Sequence, residues 1–330
     1  MVSGIIELNR NELSYPPPAN VIEAASKGLQ GINHYATIRE MDELKRALSK
    51  YCGAAEESVF VTSGVEILLG QLLQLFSRRG GIVIIDPTFF IIARVAESLG
   101  TKVLKVRLTT PSFSLPMEPL LDEARSAALV VIDSPNNPTG RLLLDRDSTK
   151  RLCESSSGML LVDESYYEFA DFSVIDMVKD FNNLIVTRTM SKAFGLAGLK
   201  VGYMAAGEAV LRDLSSLEVA LRPTTPSAYA AIAALQNIEY MKNNVTLVSE
   251  ERERVNREAS AMGVEVYPSI TNFLLMRTNQ ANAARKLKER GVVVFDPSNQ
   301  FSSQFIRVSI GTPEENNIFL SSLEEILAME

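Results

Sequence analysis

A single histidine, His34, stands in a chain of 330 residues. That excludes most histidine-based metal sites and argues against a Ser-His-Asp triad. Two cysteines, Cys52 and Cys153, cannot build a metal cluster, and a chain of this length has no need of a disulfide scaffold. Positive charge is also short. The net charge of −7 argues against general nucleic-acid binding, which needs a basic surface. Apolar runs are short and broken by Pro, Gly or charge, so none spans a membrane. The start, Met1 to Glu7 (MVSGIIE), lacks the charged head and long apolar core of a signal peptide. The expected compartment is therefore the cytoplasm. No internal repeat or low-complexity segment is present. These absences direct any chemistry toward a bound organic cofactor and away from a protein-held metal.

What is there is an ordinary globular composition, 46% hydrophobic and 22% charged, in a strongly patterned chain. Residues Leu8–Pro18 (LNRNELSYPPP) form a polar, proline-stiffened arm that must lie on something else. A short helix is expected from Asn20, with Asn20 as cap and Glu23 at the capping-box position. A charged amphipathic helix follows from about Glu40 to Tyr51. From Val59 onward, short apolar strands alternate with turns and helices: 59–61, 82–86, 102–106, 129–133, 159–163, 184–187 and 201–205. Continuous apolar strands alternating with helices mean an α/β fold, a mostly parallel sheet covered on both faces. After Arg222-Pro223 the texture changes to long charged helices and a few strands. The expected organisation is an arm (1–30) packing on the small domain or on a partner subunit, a large domain (31–222) and a small C-terminal domain (223–330).

Ligands bind such sheets at the carboxyl ends of strands. Five strand ends here carry polar or aromatic groups: Thr62-Ser-Gly64, Asp86-Pro-Thr-Phe89, Asn136-Asn-Pro-Thr-Gly140, Asp163-Glu-Ser-Tyr166 and Thr189-Met-Ser-Lys192. Each alone is ordinary turn or cap chemistry. All five in one chain is a different matter. Lys192 stands out, because a lysine at the end of a core strand is costly unless it is solvated, paired or chemically used.

Taken together, LNRNELSYPPP, SPNNPTG, DESYYEF, TMSKAFGLAGLKVGY and FIRVSIGTPEEN resemble the fold-type I pyridoxal-phosphate (PLP) aminotransferases, specifically the histidinol-phosphate aminotransferase-like branch. The match covers nearly the whole chain. It implies a mostly parallel, mixed central sheet with helices on both faces and a smaller α/β C-terminal domain. It also implies PLP as cofactor and a ping-pong exchange between an amino donor and a 2-oxo acid.

Residue by residue, the resemblance makes Lys192 the lysine that holds PLP and shuttles a proton, with Asp163 at the pyridine nitrogen. Asn137 and Tyr166 fall at the 3′-oxygen and Phe89 on the ring face. The backbone N–H groups of Val65 and Glu66 after Gly64, the hydroxyls of Thr189 and Ser191, and Lys200 fall at the phosphate. Tyr35 matches a tyrosine that reaches the cofactor phosphate across a homodimer interface, so shared active sites are implied. Arg307 matches the arginine that receives the substrate carboxylate, with Asn137 and Tyr35 beside it and Tyr15 near the substrate's distal end.

Two positions depart from the pattern. LAGLK stands where LAGLR is usual, so Lys200 keeps the charge and gives up the planar fork. Phe295 stands where an arginine usually binds a substrate phosphate, and Arg10 or Arg222 are the candidate replacements. The implied reaction is transfer between histidinol phosphate and 2-oxoglutarate. The alternatives are an aromatic or broad-specificity aminotransferase, or a lyase of the threonine-phosphate decarboxylase type. Neither nucleic acid, membrane nor metal is expected as a partner.

Overall fold

The structure, a computed structural model, describes residues 4–329; the first three residues of the expected arm and the last residue of the C-terminal domain lie outside the described residues. The strands in chain order are β1 (Ile6–Leu8), β2 (Val59–Thr62), β3 (Ile82–Asp86), β4 (Val103–Arg107), β5 (Leu129–Asp133), β6 (Met159–Asp163), β7 (Leu184–Thr189), β8 (Gly202–Ala206), β9 (Glu265–Val266), β10 (Phe273–Arg277), β11 (Val292–Val294) and β12 (Phe305–Ser309).

Seven of them make the central sheet, in the order β2-β8-β7-β6-β5-β3-β4. β8 runs antiparallel to both its neighbours and the other pairs are parallel, so the sheet is mixed. The strands are apolar throughout because both faces are covered. Ile82, Ile84, Leu129, Val131, Leu161 and Ile185 pack into one core with the helix Val65–Ser77. The alternate residues Val83, Ile85, Val130, Ile132, Leu160 and Val162 pack into the other. This period-two division is what the pleat dictates. Its consequence is that the polar residues ending the strands fall together at one edge, with Asp133 of β5 opposite Asp163 of β6.

Past residue 222 the chain builds a separate three-stranded antiparallel sheet, β12-β10-β9, carried with the helices Ile238–Ala261 and Pro313–Leu327. The N-terminal arm does not stand free. β1 pairs in parallel with β11, so the first described strand belongs to the C-terminal layer.

Two local expectations change. The first helix runs Ala19–Gly28 with Pro18 at its cap and no capping side chain. Pro18 fixes an extended backbone at a cap two residues earlier than expected, so Asn20 lies inside the first turn. The next helix runs Ile38–Cys52, and Thr37 with Glu40 supplies the capping box. The helices Met117–Ala124 and Arg146–Ser155 add to the set read from the sequence.

Candidate active site

The carboxyl ends of β2, β3, β5, β6 and β7 face the N-terminal arm and β12 across a cavity of about 500 Å³. That is the size of an ordinary small-ligand site.

At its floor sits Asp163, buried at the end of β6. Its Oδ1 accepts hydrogen bonds from Ser165 Oγ (2.8 Å) and Thr187 Oγ1 (2.9 Å). Among the described residues no cation pairs with it. Burial pushes its carboxyl up to about 6, and the two hydroxyl bonds pull the other way. Tyr166, three residues further on, has its hydroxyl met by Asn11 Nδ2 at 2.9 Å and Asn137 Nδ2 at 3.4 Å. Burial pushes that phenol up to about 12.

Lys192 follows β7 on a tight loop, and its amine donates to the carbonyl of Arg10 at 3.0 Å. Burial lowers its pKa to about 8, and the positive charge of Arg307 acts in the same direction. Behind this wall Arg188 is buried, paired with Glu164 at 2.9 Å, bonded to Ser173 and stacked 3.5 Å from the Tyr167 ring centroid. That cluster ties the end of β6 to β7, the strand that leads into the Lys192 loop.

The opposite end is built on the start of the helix Val65–Ser77. Gly64 holds φ at +91°, and no side chain caps the helix, so the first N–H groups are left for a ligand or water. Gly202 allows this turn to lie against β8, since a Cβ there would come within 2.6 Å of Val65 N. Thr189 Oγ1 and Ser191 Oγ are 3.0 Å apart at the same rim. Lys200, with φ +50°, is 57% exposed and forms a 2.8 Å pair with Glu66.

Arg307 stands in the β12 wall, 4% exposed. It donates to Asn137 Oδ1 and, at 2.7 Å, to the Asn9 carbonyl, while its Nε has no partner. No carboxylate pairs with it among the described residues, and burial lowers its pKa to about 10. Phe295, just past β11 in the same chain, lies directly opposite, with N–H···O bonds of 3.0 Å in both directions. Its ring centroid is 4.2 Å from the guanidinium carbon, and Phe90 stacks on it at 6.1 Å.

The cavity thus brings together Gly64, Val65, Glu66, Phe89, Asn137 and Asp163 from the first half of the expected set. From the second half it adds Tyr166, Thr189, Ser191, Lys192, Lys200 and Arg307. Tyr15 packs against the core outside the cavity, and Tyr35 is 99% exposed. Arg10 lines the cavity, whereas Arg222 lines a second, smaller one. Sequence reasoning missed Asn9, Asn11, Phe90 and Asp133. The arm residues carry no local signal, since Asn9 acts through its backbone carbonyl on Arg307 and Asn11 through a side-chain amide on the distant Tyr166. Asp133 did carry one, a charged residue closing an apolar strand. Among the described residues no group of three or more His, Cys, Asp or Glu side chains is placed to hold a metal, and no helix is long and apolar enough to cross a membrane.

A mixed, doubly covered α/β sheet with a lysine amine, a buried carboxylate and a helix start around one crevice defines a cofactor-dependent transferase of the PLP class. The chain belongs to the aminotransferase class I and II family, whose model matches residues 3–323. It is 36% identical over 327 residues to a histidinol-phosphate aminotransferase of Thermococcus gammatolerans, covering 98% of this chain and 93% of that one. It is 32% identical to another from Sulfurisphaera tokodaii, covering 98% and 90%. Among solved structures it superposes, at a TM-score of 0.87 and 25% identity, on a histidinol-phosphate aminotransferase from Sinorhizobium meliloti in complex with pyridoxal-5′-phosphate, covering 98% of this chain and 90% of that one. The chain is a PLP-dependent aminotransferase of fold type I.

Proposed function

We propose that this chain is a histidinol-phosphate aminotransferase that works as a cytoplasmic homodimer with shared sites, and that the cavity above is its active site. One observation carries the reading. The cavity holds an unmatched buried anion, Asp163, at one end and an unmatched buried cation, Arg307, at the other. Burying a charge without a partner costs several kcal/mol, and a protonated ring nitrogen and a substrate carboxylate relieve the two costs. The donor set also fits PLP at its phosphate, where an uncapped helix start, two hydroxyls and Lys200 converge.

Bound there, PLP supplies the electron sink for bond breaking at the substrate Cα. Asp163 keeps the ring nitrogen protonated, because opposite charge favours the charged form. Phe89 covers the ring face, and Asn137 and Tyr166 hold the 3′-oxygen. Lys192 anchors the cofactor and, once released, moves the proton at Cα. Its amine suits this task because a pKa near 8 leaves a sizeable neutral fraction at working pH. Arg307 takes the substrate carboxylate with a planar fork.

The substrate class rests on the relatives, which are named histidinol-phosphate aminotransferases over nearly their whole length. The shared site is supported by Tyr35, fully exposed in one chain beside exposed Ile32 and Ile38, an apolar surface suited to a second copy. The separate sheets support the division into an arm (1–30), a large domain (31–222) and a small domain (223–330).

A second reading has its own observation. Phe90 and Phe295 line the substrate end with aromatic surface, which suits a donor with an aromatic side chain and lacks the arginine expected for a phosphate. A donor screen with 2-oxoglutarate decides between them. Histidinol phosphate as the best donor, with glutamate formed, supports the first reading. Preference for phenylalanine or tyrosine supports the second, and CO2 release without glutamate identifies a lyase and overturns both.

A further inference from the structure

Asp133 is a buried carboxylate that none of the roles above uses. It closes β5, is 2% exposed, and has no cation partner among the described residues. Its register neighbour is a second acid, Asp163. Burial pushes its carboxyl up to about 7 in spite of its hydrogen bonds. A lone buried carboxylate is an expensive way to fill space, so its contacts need a reason.

Those contacts are four and fall on two loops. Oδ1 accepts from Thr88 Oγ1 (2.7 Å) and Asn136 Nδ2 (3.0 Å), and Oδ2 accepts from the backbone N–H of Phe89 (3.2 Å) and of Asn137 (2.8 Å). Thr88 and Phe89 belong to the loop after β3, and Asn136 and Asn137 to the loop after β5. A group with two oxygens and no hydrogens can serve all four donors at once. The chain of bonds then continues outward. Asn136 Nδ2 also reaches the Pro87 carbonyl at 3.1 Å, Asn137 Oδ1 accepts from Arg307, and Arg307 donates to the Asn9 carbonyl.

We propose that Asp133 is a positioning residue that locks the Phe89 loop to the Asn137 loop, and through Asn137 sets the guanidinium of Arg307. It lies at the cavity wall, but all four of its hydrogen bonds go to protein groups, so it acts through them. Its effect is to hold the ring-face residue, the 3′-oxygen residue and the carboxylate fork in one frame. The inference rests on the reading of Phe89, Asn137 and Arg307 given above.

The two informative variants are Asp133→Ala and Asp133→Asn. Alanine removes all four acceptor contacts and orphans two backbone N–H groups. Asparagine can still meet both backbone N–H groups with its oxygen; its amide can donate to Thr88 Oγ1, and only the contact with Asn136 Nδ2 is lost. The readouts are the visible circular dichroism of the bound cofactor, kcat, and the half-saturating concentration of 2-oxoglutarate. Asp133→Ala is expected to lower kcat roughly 10²-fold, the scale of a small misplacement of reacting groups. It should also raise the 2-oxoglutarate requirement about tenfold, as for a weakened charged hydrogen bond, and diminish the visible dichroism. Asp133→Asn should move each readout in the same direction by less.

A purely structural residue would lower the melting temperature and leave the dichroism and the 2-oxoglutarate requirement at parental values. That pattern in either variant overturns the proposal, and the asparagine variant decides alone if the alanine variant does not fold. A different result marks failure of the underlying reading: borohydride reduction of the parent protein then leaves no pyridoxyl group on Lys192.

Discussion

The two ends of the cavity solve the problem of binding charge in different ways. The floor around Asp163 is buried, closed by strand ends, and bonded by two short hydroxyl side chains, Ser165 and Thr187. The rim around Lys200 is open. Its cation sits on a long flexible stem, more than half exposed, already paired with Glu66, which is itself 43% exposed on its side chain. At the floor a missing partner is felt at the full desolvation cost, whereas at the rim solvent screens the pair to about 0–1 kcal/mol. The difference teaches that chemistry is placed where geometry is rigid, and retention where it can be graded.

The contrast can be broken most severely at Lys192. Lys192→Ala should remove at least about 10³-fold of turnover, since both cofactor anchor and proton carrier are lost, with the circular dichroism of the fold unchanged. Substantial residual transamination would refute the assigned role. Next comes Asp163→Asn, expected to cost roughly 10²-fold in kcat by withdrawing the charge that keeps the ring nitrogen protonated.

The same variant carries a pH signature in the protein freed of cofactor. The Asp163 carboxyl is raised from 3.8 to about 6 in the folded protein. A raised value means its contribution to stability is full below pH 4 and is lost as pH rises through 6. Thermal melts should therefore show the parent losing stability across pH 4 to 6 more steeply than Asp163→Asn. A parallel pair of curves would show that Asp163 does not carry this charge.

The rim should respond far less. Lys200→Arg, which restores a planar fork, and Glu66→Gln, which frees the lysine, should each tighten PLP only a few-fold, the scale of an exposed ion pair. Equilibrium dialysis of the cofactor measures this. A change of 10²-fold at Lys200 would erase the distinction between the two ends. Subunit mixing tests the interface between copies: Lys192→Ala combined with Tyr35→Ala should regain activity that neither has alone, because one site of the hybrid dimer holds both native residues.

Much of this arrangement was legible before any coordinates. The strands were readable because a sheet covered on both faces demands unbroken apolar runs. Asp163 and Lys192 were readable because a charged residue at the end of such a run needs a reason, and Gly64 because Thr62-Ser-Gly64 reads as a tight turn. Caps were less legible. Asn20 looked like a helix cap and is not one, since Pro18 sets the entry to that helix. The roles of Asn9 and Asn11 were not legible at all. Their contributions are a backbone carbonyl to Arg307 and a side-chain amide to Tyr166, made across more than 150 residues of sequence.

The sequence by itself determined which residues close each strand, and therefore the chemical inventory of the site, because the pleat sends alternate residues into two cores and leaves the strand ends polar. Only the tertiary structure decided the partners. It set Phe295 over Arg307 by pairing two strands from the C-terminal layer, brought the arm's carbonyls to Lys192 and Arg307, and gave Asp133 four donors from two loops. These are contacts between segments distant in the chain, and no local periodicity encodes them.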